Sequence, residues 1–132
     1  MKYDFMKNIV DTLYPPVHEP FFELGLPDGR KYVSSRDLIV GRDPFPEPDR
    51  YFLKLVDDRI SREHALFTLT PKGIVVSDML SRNGIYIGNQ RIRESQKLKK
   101  GDIVTLAGRF DYSDGVRKFK GGYPLEFLGY YS

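Results

Sequence analysis

The amino-acid sequence predicts an all-β fold, a sandwich or barrel of about ten short strands. Three observations carry that prediction. Apolar and polar residues alternate in short runs, the period of a half-buried strand. Turn signals part the runs about every 8–12 residues. The aromatic residues are nine Tyr and nine Phe with no Trp, types that favour strands over helices. At 132 residues with a 40% hydrophobic share, the chain has the size and apolar content of one ordinary domain with a single core.

The elements follow in order. Phe22 and Leu24 flank Glu23, and Leu26-Pro27-Asp28-Gly29 is a turn signal. Lys31 to Ser34 and Leu38 to Val40 read as strands. Asp43 to Asp49 contains three prolines and reads as a loop. Tyr51 to Leu55 and Ala65 to Leu69 alternate, and Pro71-Lys72-Gly73 turns the chain into Ile74 to Val76. Ile85 to Ile87 passes through Gly88-Asn89 into Gln90-Arg91-Ile92, a hairpin signal. Lys100-Gly101-Asp102 precedes the strand Ile103 to Leu106, and Leu125 to Tyr130 forms the last strand.

Residues 1–19 differ from the rest. Phe5, Ile9 and Leu13 recur every four residues, with Val10 beside Ile9, and Tyr14-Pro15-Pro16 stops any helix. The segment reads as an N-terminal arm or linker with a short helical pattern, or as an unstructured terminus. Thr12 in this arm is a candidate phosphorylation site. Residues 20–132 form the domain.

Composition excludes several classes of chemistry. With no cysteine, disulfides, thiolate zinc sites and cysteine nucleophiles are ruled out. Met1 to Val10 contains Asp4 and has no unbroken apolar run, unlike a signal peptide. No segment approaches the roughly 18 apolar residues of a membrane span, so a soluble cytoplasmic protein without a membrane partner is expected. The surplus of 21 basic over 18 acidic residues is small for a nucleic-acid binder, which usually shows a clustered excess. His18 and His64 lie far apart and suggest no metal pair. No nucleophile–base pair emerges from spacing, so neither an enzyme nor a cofactor is expected.

Three loop clusters carry chemistry. Gly41-Arg42-Asp43 ends one strand, Ser61-Arg62-Glu63-His64 precedes another, and Ser81-Arg82-Asn83-Gly84 lies between two more. Arg42, Arg62 and Arg82 offer guanidinium forks that match phosphate oxygens. Ser61 adds a hydroxyl donor, and the Asn83 amide can serve a peptide carbonyl. A phosphorylated side chain, with about −1.5 to −2 charges and three acceptor oxygens, suits such a set. Each residue also has a plainer reading. Arg42 can pair with Asp43, Ser61 can cap a loop, Asn83-Gly84 can serve only as a turn, and His64 reads as a hydrogen-bonded structural histidine. Lys97-Leu98-Lys99-Lys100 reads as a solvated turn. The Tyr and Phe residues between Arg109 and Lys120 fit strand packing as well as base stacking.

The ordered set Gly41-Arg42, Ser61-x-x-His64, Ser81-x-Asn83-Gly84 and Leu98-Lys99-Lys100-Gly101-Asp102 resembles the forkhead-associated (FHA) family over about residues 21–130. The resemblance implies a two-sheet β-sandwich of about eleven short strands (FHA/SMAD-like), with recognition loops at one end. It implies phosphothreonine recognition in partner proteins marked by Ser/Thr kinases. Arg42 and Ser61 would contact the phosphate, Arg62 would add a phosphate or peptide contact, and Asn83 would hold the peptide backbone. Arg82 would shape the same loop, and Gly41, His64 and Gly84 would be architectural. Loops in this family contact the third residue after the phosphothreonine. A basic rim of Arg59 and Arg82 would then favour an acidic residue there, unless Arg59 pairs with Asp57 or Asp58. Departures are Ile85 where the family usually has Thr, Gly88-Asn89 where Asn-Gly is commoner, and the proline-rich loop Asp43 to Asp49. Two other functions stay open. One is an interaction or dimerisation domain that keeps the fold without using phosphate; the other is weak nucleic-acid binding.

Overall fold

The computed structural model describes residues 19–132. Most of the N-terminal arm, with the helical pattern of Phe5, Ile9 and Leu13 and with Thr12 and His18, lies outside the described residues. Eleven strands follow: β1 (Phe21–Gly25), β2 (Lys31–Ser34), β3 (Leu38–Gly41), β4 (Tyr51–Lys54), β5 (Ala65–Thr70), β6 (Gly73–Asp78), β7 (Ile85–Ile87), β8 (Gln90–Arg91), β9 (Ser95–Lys97), β10 (Ile103–Ser113) and β11 (Val116–Tyr131). They form a six-stranded sheet in the order β2-β1-β11-β10-β7-β8 and a five-stranded sheet in the order β4-β3-β5-β6-β9. The fold is the all-β sandwich that the sequence predicts.

The core lies between the two sheets. Phe22, Leu24, Val104, Leu106, Leu125 and Phe127 come from one sheet, and Leu38, Val40, Phe67, Ile74 and Val76 from the other. Their alternation along each strand is the half-buried period. Leu38 to Gly41 is buried throughout, because β3 is a central strand between β4 and β5. β3 and β4 pair in parallel. A parallel partner needs a crossover rather than a tight hairpin, which explains the long proline-rich loop between them.

Two regions depart from the sequence reading. Ser95 to Lys97 forms edge strand β9, fully exposed, so part of the expected turn at Lys97 belongs to a strand. An exposed edge has no buried face and leaves no apolar alternation to read. The last hairpin is also far longer than Ile103 to Leu106 and Leu125 to Tyr130. β10 and β11 keep one register from Ile103↔Glu126 to Ser113↔Val116, with a break in the pairing at Ala107, which sits at φ 68°. β7 pairs with β10 only over Val104, Thr105 and Leu106, and β1 stops opposite Glu126. Residues 108–122 thus form a two-stranded arm beyond the sandwich. Pro124 falls past the end of the β1 pairing, where a strand tolerates proline.

The arm has two faces. Phe110 lies opposite Phe119 in the ladder, and both rings pack on Tyr86 of β7, with centroids 6.2 and 4.9 Å away. Arg117 caps this face over the Phe110 ring at 3.6 Å. Arg109, Asp111, Lys118 and Lys120 alternate onto the other face. Gly108 lets the rings approach the arm's root, since a Cβ there would meet Tyr86 at 2.7 Å and Phe119 at 2.8 Å.

Phe67 is fully buried and stacks on Phe22 with centroids 6.1 Å apart. Phe67→Ala is expected to destabilise the domain by about 3–5 kcal/mol. A urea unfolding midpoint that does not fall would contradict this account of the core.

Candidate functional site

The loops after β3, β4 and β6 are stitched together at one end of the sandwich. Arg42 N donates to Ser61 O at 2.9 Å and Asp43 N to Arg62 O at 3.1 Å, so two loops continue a strand-like ladder. This approach requires Gly41, because a Cβ there would collide with the Arg62 carbonyl. His64, fully buried, joins the third loop. Its Nδ1 accepts from Ser61 N at 3.0 Å, and its Nε2 lies 2.6 Å from Gly84 O. An Nδ1 that accepts assigns the hydrogen to Nε2, so the ring is the neutral Nε2–H tautomer donating to Gly84. With both nitrogens committed to backbone, His64 cannot act as a general base.

Further bonds fix the Ser81 to Gly84 turn. Asp78 Oδ1 accepts from Ser81 N at 2.9 Å, and Ser81 Oγ accepts from Gly84 N at 3.0 Å. Gly84 sits at φ 80°, a region glycine enters without cost. Ser61 Oγ accepts from Arg82 N at 3.0 Å, which leaves the hydroxyl hydrogen to donate outward. Asn83 Nδ2 donates to Arg59 O at 2.8 Å, leaving its second amide hydrogen and its carbonyl. Leu80, just before the turn, is 99% exposed at φ 57°, a strained conformation for a bulky residue.

The cations differ in how they are held. Arg42 is exposed, and its Nε donates to Ile60 O at 3.2 Å. Among the described residues no carboxylate pairs with it, so the Asp43 pairing weighed from sequence does not form. Arg62 and Arg82 are exposed on the same loops. Arg59 pairs with Asp57 through two bonds, Nη2 to Oδ2 at 2.6 Å and Nε to Oδ1 at 2.9 Å. This arginine fork holds the Asp57 carboxyl below the usual carboxylate range. The alternative pairing weighed for Arg59 is therefore the one that forms, and its charge is largely neutralised.

The hairpin arm is anchored to this site. Ala107 N donates to Gly84 O at 2.9 Å and Gly108 N to Asn83 O at 3.2 Å. Between the arm and the loops lies a cleft of about 520 Å³, lined by Arg59, Asn83, Arg109, Lys120 and the backbone of Ala107 and Gly108, with Gly121 and Gly122. Arg109 and Lys120 are functional candidates that motif spacing did not single out. Their place depends on the register of β10 and β11, which the two-residue turn Asp114-Gly115, both residues at positive φ, sets; that Asp-Gly turn is the signal by which the sequence could have found them.

Fold and loops define a β-sandwich that presents hydroxyl, amide and guanidinium donors on a rigid frame, the build of an interaction module. A family model described as FHA domain matches residues 38–107, more than half of the chain, and the chain belongs to the forkhead-associated family. Members of this family are interaction modules rather than enzymes. Solved structures agree in fold. An FHA domain studied for phosphothreonine-dependent interactions is 23% identical, with 83% of this chain and 96% of that one covered at a TM-score of 0.61. The FHA domain of CT664 from Chlamydia trachomatis is 22% identical, with 84% and 99% covered at a TM-score of 0.62. EmbR of Mycobacterium tuberculosis, solved with a low-affinity phosphopeptide, is 24% identical at a TM-score of 0.59. That match covers 82% of this chain and 24% of the longer EmbR chain. A search of curated protein sequences found no match.

Two predictions follow from the geometry. Burial holds the His64 pKa below the ordinary histidine value, which is about 6.5. Between that value and the lower folded one the unfolded chain binds more protons. His64 therefore costs stability as pH falls through this window and costs none above it. Nitrogen NMR above the ordinary histidine pKa should show a neutral ring with its hydrogen on Nε2, and an Nδ1–H tautomer or an imidazolium there would refute the bridging role. Leu80→Gly should raise stability by about 1 kcal/mol by relieving the positive φ, measured by thermal unfolding.

Proposed function

We propose that this domain binds phosphothreonine-containing segments of partner proteins, as a signalling or scaffolding adaptor in the cytoplasm, where Ser/Thr kinases mark such segments. The observation that carries this reading is the pairing of Arg42 and Ser61. Arg42 is steered by a carbonyl that leaves its charge whole, and the Ser61 hydroxyl is fixed by a backbone N–H that leaves its hydrogen to donate. Ser61 sits on a loop locked by the His64 ring, and Arg42 is tied to that loop by its N–H donating to the Ser61 carbonyl. In this reading they take the phosphate, Arg62 and Arg82 add positive charge at the rim, and Asn83 holds the peptide backbone. Relatives support the reading, since EmbR was solved with a phosphopeptide and the FhaA FHA domain with the intracellular domain of Rv3910.

Calorimetry with a phosphothreonine peptide and its unphosphorylated twin tests the proposal. Binding should need the phosphate. Arg42→Ala should weaken it about tenfold to a hundredfold, the size of a charge-assisted hydrogen bond, without lowering the unfolding temperature. Equal affinity for both peptides would favour an interaction domain that keeps the fold without phosphate. A matched phosphoserine peptide should bind about fourfold more weakly, the worth of one buried methyl group. Equal phosphoserine binding would remove the preference for threonine.

A further inference from the structure

The end of the sandwich opposite the recognition loops carries a cavity that phosphothreonine binding does not use. β6 starts at this cavity with Gly73 and ends at Asp78, whose carboxylate holds the Ser81 turn. The six residues of β6 separate the cavity from that turn by roughly 17 Å. The cavity measures about 400 Å³, and Lys72, Lys97 and Lys100 line it together with Tyr130 and Tyr131. Ile74, Leu98 and Phe127, all buried, form its floor. The lysines come from three elements: the turn between β5 and β6, strand β9, and the turn before β10.

The charge of this cavity is uncompensated. Among the described residues no carboxylate lines it, and none of its three lysines forms an ion pair. Asp102, the acidic residue of the adjoining turn, accepts instead from Lys99 N at 2.8 Å. An ordinary solvated surface intersperses both signs of charge. Here three ammoniums around one concavity repel one another, and an anion between them relieves that repulsion.

Each ammonium hangs from a fixed stretch of backbone. Lys72 N donates to Thr70 Oγ1 at 3.2 Å. Lys97 pairs with Val75 across the ladder. Gly101 N, next to Lys100, donates to Phe127 O at 2.8 Å. Two glycines make room for the side chains. The Lys97 stem lies over Gly73, where a Cβ would meet its Cε at 3.4 Å, and a Cβ at Gly129 would meet the Tyr131 hydroxyl at 2.9 Å. Among the described residues neither the Tyr130 nor the Tyr131 hydroxyl has a hydrogen-bond partner, so both remain as donors.

This donor set selects a class of ligand. An ammonium is a compact point charge that suits tetrahedral phosphate oxygens, whereas a planar carboxylate is best matched by an arginine fork. Three such charges call for a ligand with several negative charges, and the volume is that of a small-molecule pocket. We propose that this cavity is a second ligand site, which takes a compact polyphosphate, a small molecule with linked phosphate groups. The proposal is independent of the phosphopeptide reading.

Residue-resolved amide NMR of the intact chain, titrated with inorganic pyrophosphate, tests it. Pyrophosphate can also meet Arg42 and Ser61 at the recognition end, so the readout is where the shifts fall. Saturable shifts should appear at Gly73, Lys97, Gly101 and Tyr130 and weaken with added salt. Lys72→Gln, Lys97→Gln and Lys100→Gln should each loosen this binding about twofold to fivefold, the range of an exposed ion pair. The triple variant should abolish it while phosphothreonine-peptide affinity stays at the wild-type value. Should the triple variant fold poorly, the single variants decide. ADP distinguishes the source of the phosphate. Tighter binding than pyrophosphate, with shifts in the Tyr130 or Tyr131 ring protons, assigns a nucleotide; equal or weaker binding assigns a free polyphosphate. A cavity that pyrophosphate leaves unshifted overturns the proposal, as do cavity shifts that keep wild-type affinity in all three single variants.

Discussion

The recognition end depends on the imidazole of His64, which joins two loops that the chain keeps twenty residues apart, with Nδ1 accepting from Ser61 N and Nε2 donating to Gly84 O. Accepting at one nitrogen and donating at the other is possible only for the neutral ring. Complete burial favours that form. With the ring in place, Ser61 lies close enough for its hydroxyl to take the Arg82 N–H, and Gly84 presents its carbonyl to Ala107 at the root of the arm. A protonated ring would lose the bond from Ser61 N and set one N–H against another.

Orientation and neutralisation are separated around this bridge. Arg42 is oriented by the carbonyl of Ile60, a partner with a dipole but no net charge. Its guanidinium keeps its full attraction for an anion. Arg59 is oriented by the Asp57 carboxylate, which cancels most of its field. The two arginines sit on neighbouring loops and look alike in sequence. The difference is physical: an exposed pair of opposite charges adds little to binding another ion, whereas an oriented cation without a carboxylate can contribute the strength of a charge-assisted bond.

The arm extends the same logic. β10 and β11 continue past the strands that flank them, and an isolated two-stranded ribbon is marginal in water. Here its root is braced by the ring cluster of Tyr86, Phe110 and Phe119 and by the cation over Phe110. Glycine at 108 makes room for the rings. A ribbon braced on one face can carry charged side chains on the other at defined positions.

By itself the sequence determined the sandwich, most of its strands and the three loop clusters. Strands such as Ala65–Thr70 and Gly73–Asp78 bury one face against a core, so burial is written into their alternation. Gly41-Arg42, Ser61 to His64 and Ser81 to Gly84 are local motifs whose order along the chain can be read directly. Tertiary structure alone decided the rest. β9 is exposed along its whole length and leaves no alternation to read, whereas the outer hairpin does alternate, with Phe110 and Phe119 on its packed face and a joining Asp114-Gly115 turn that the strand reading passed over. Whether Arg59 would meet Asp57 or the ligand depended on side-chain geometry within a turn. The cleft exists because the β10–β11 register sets Arg109 beside Lys120, and because the hydrogen bonds of Asn83 and Gly84 bring both to the recognition loops. Contacts between residues far apart in sequence follow from strand order, which no local pattern encodes.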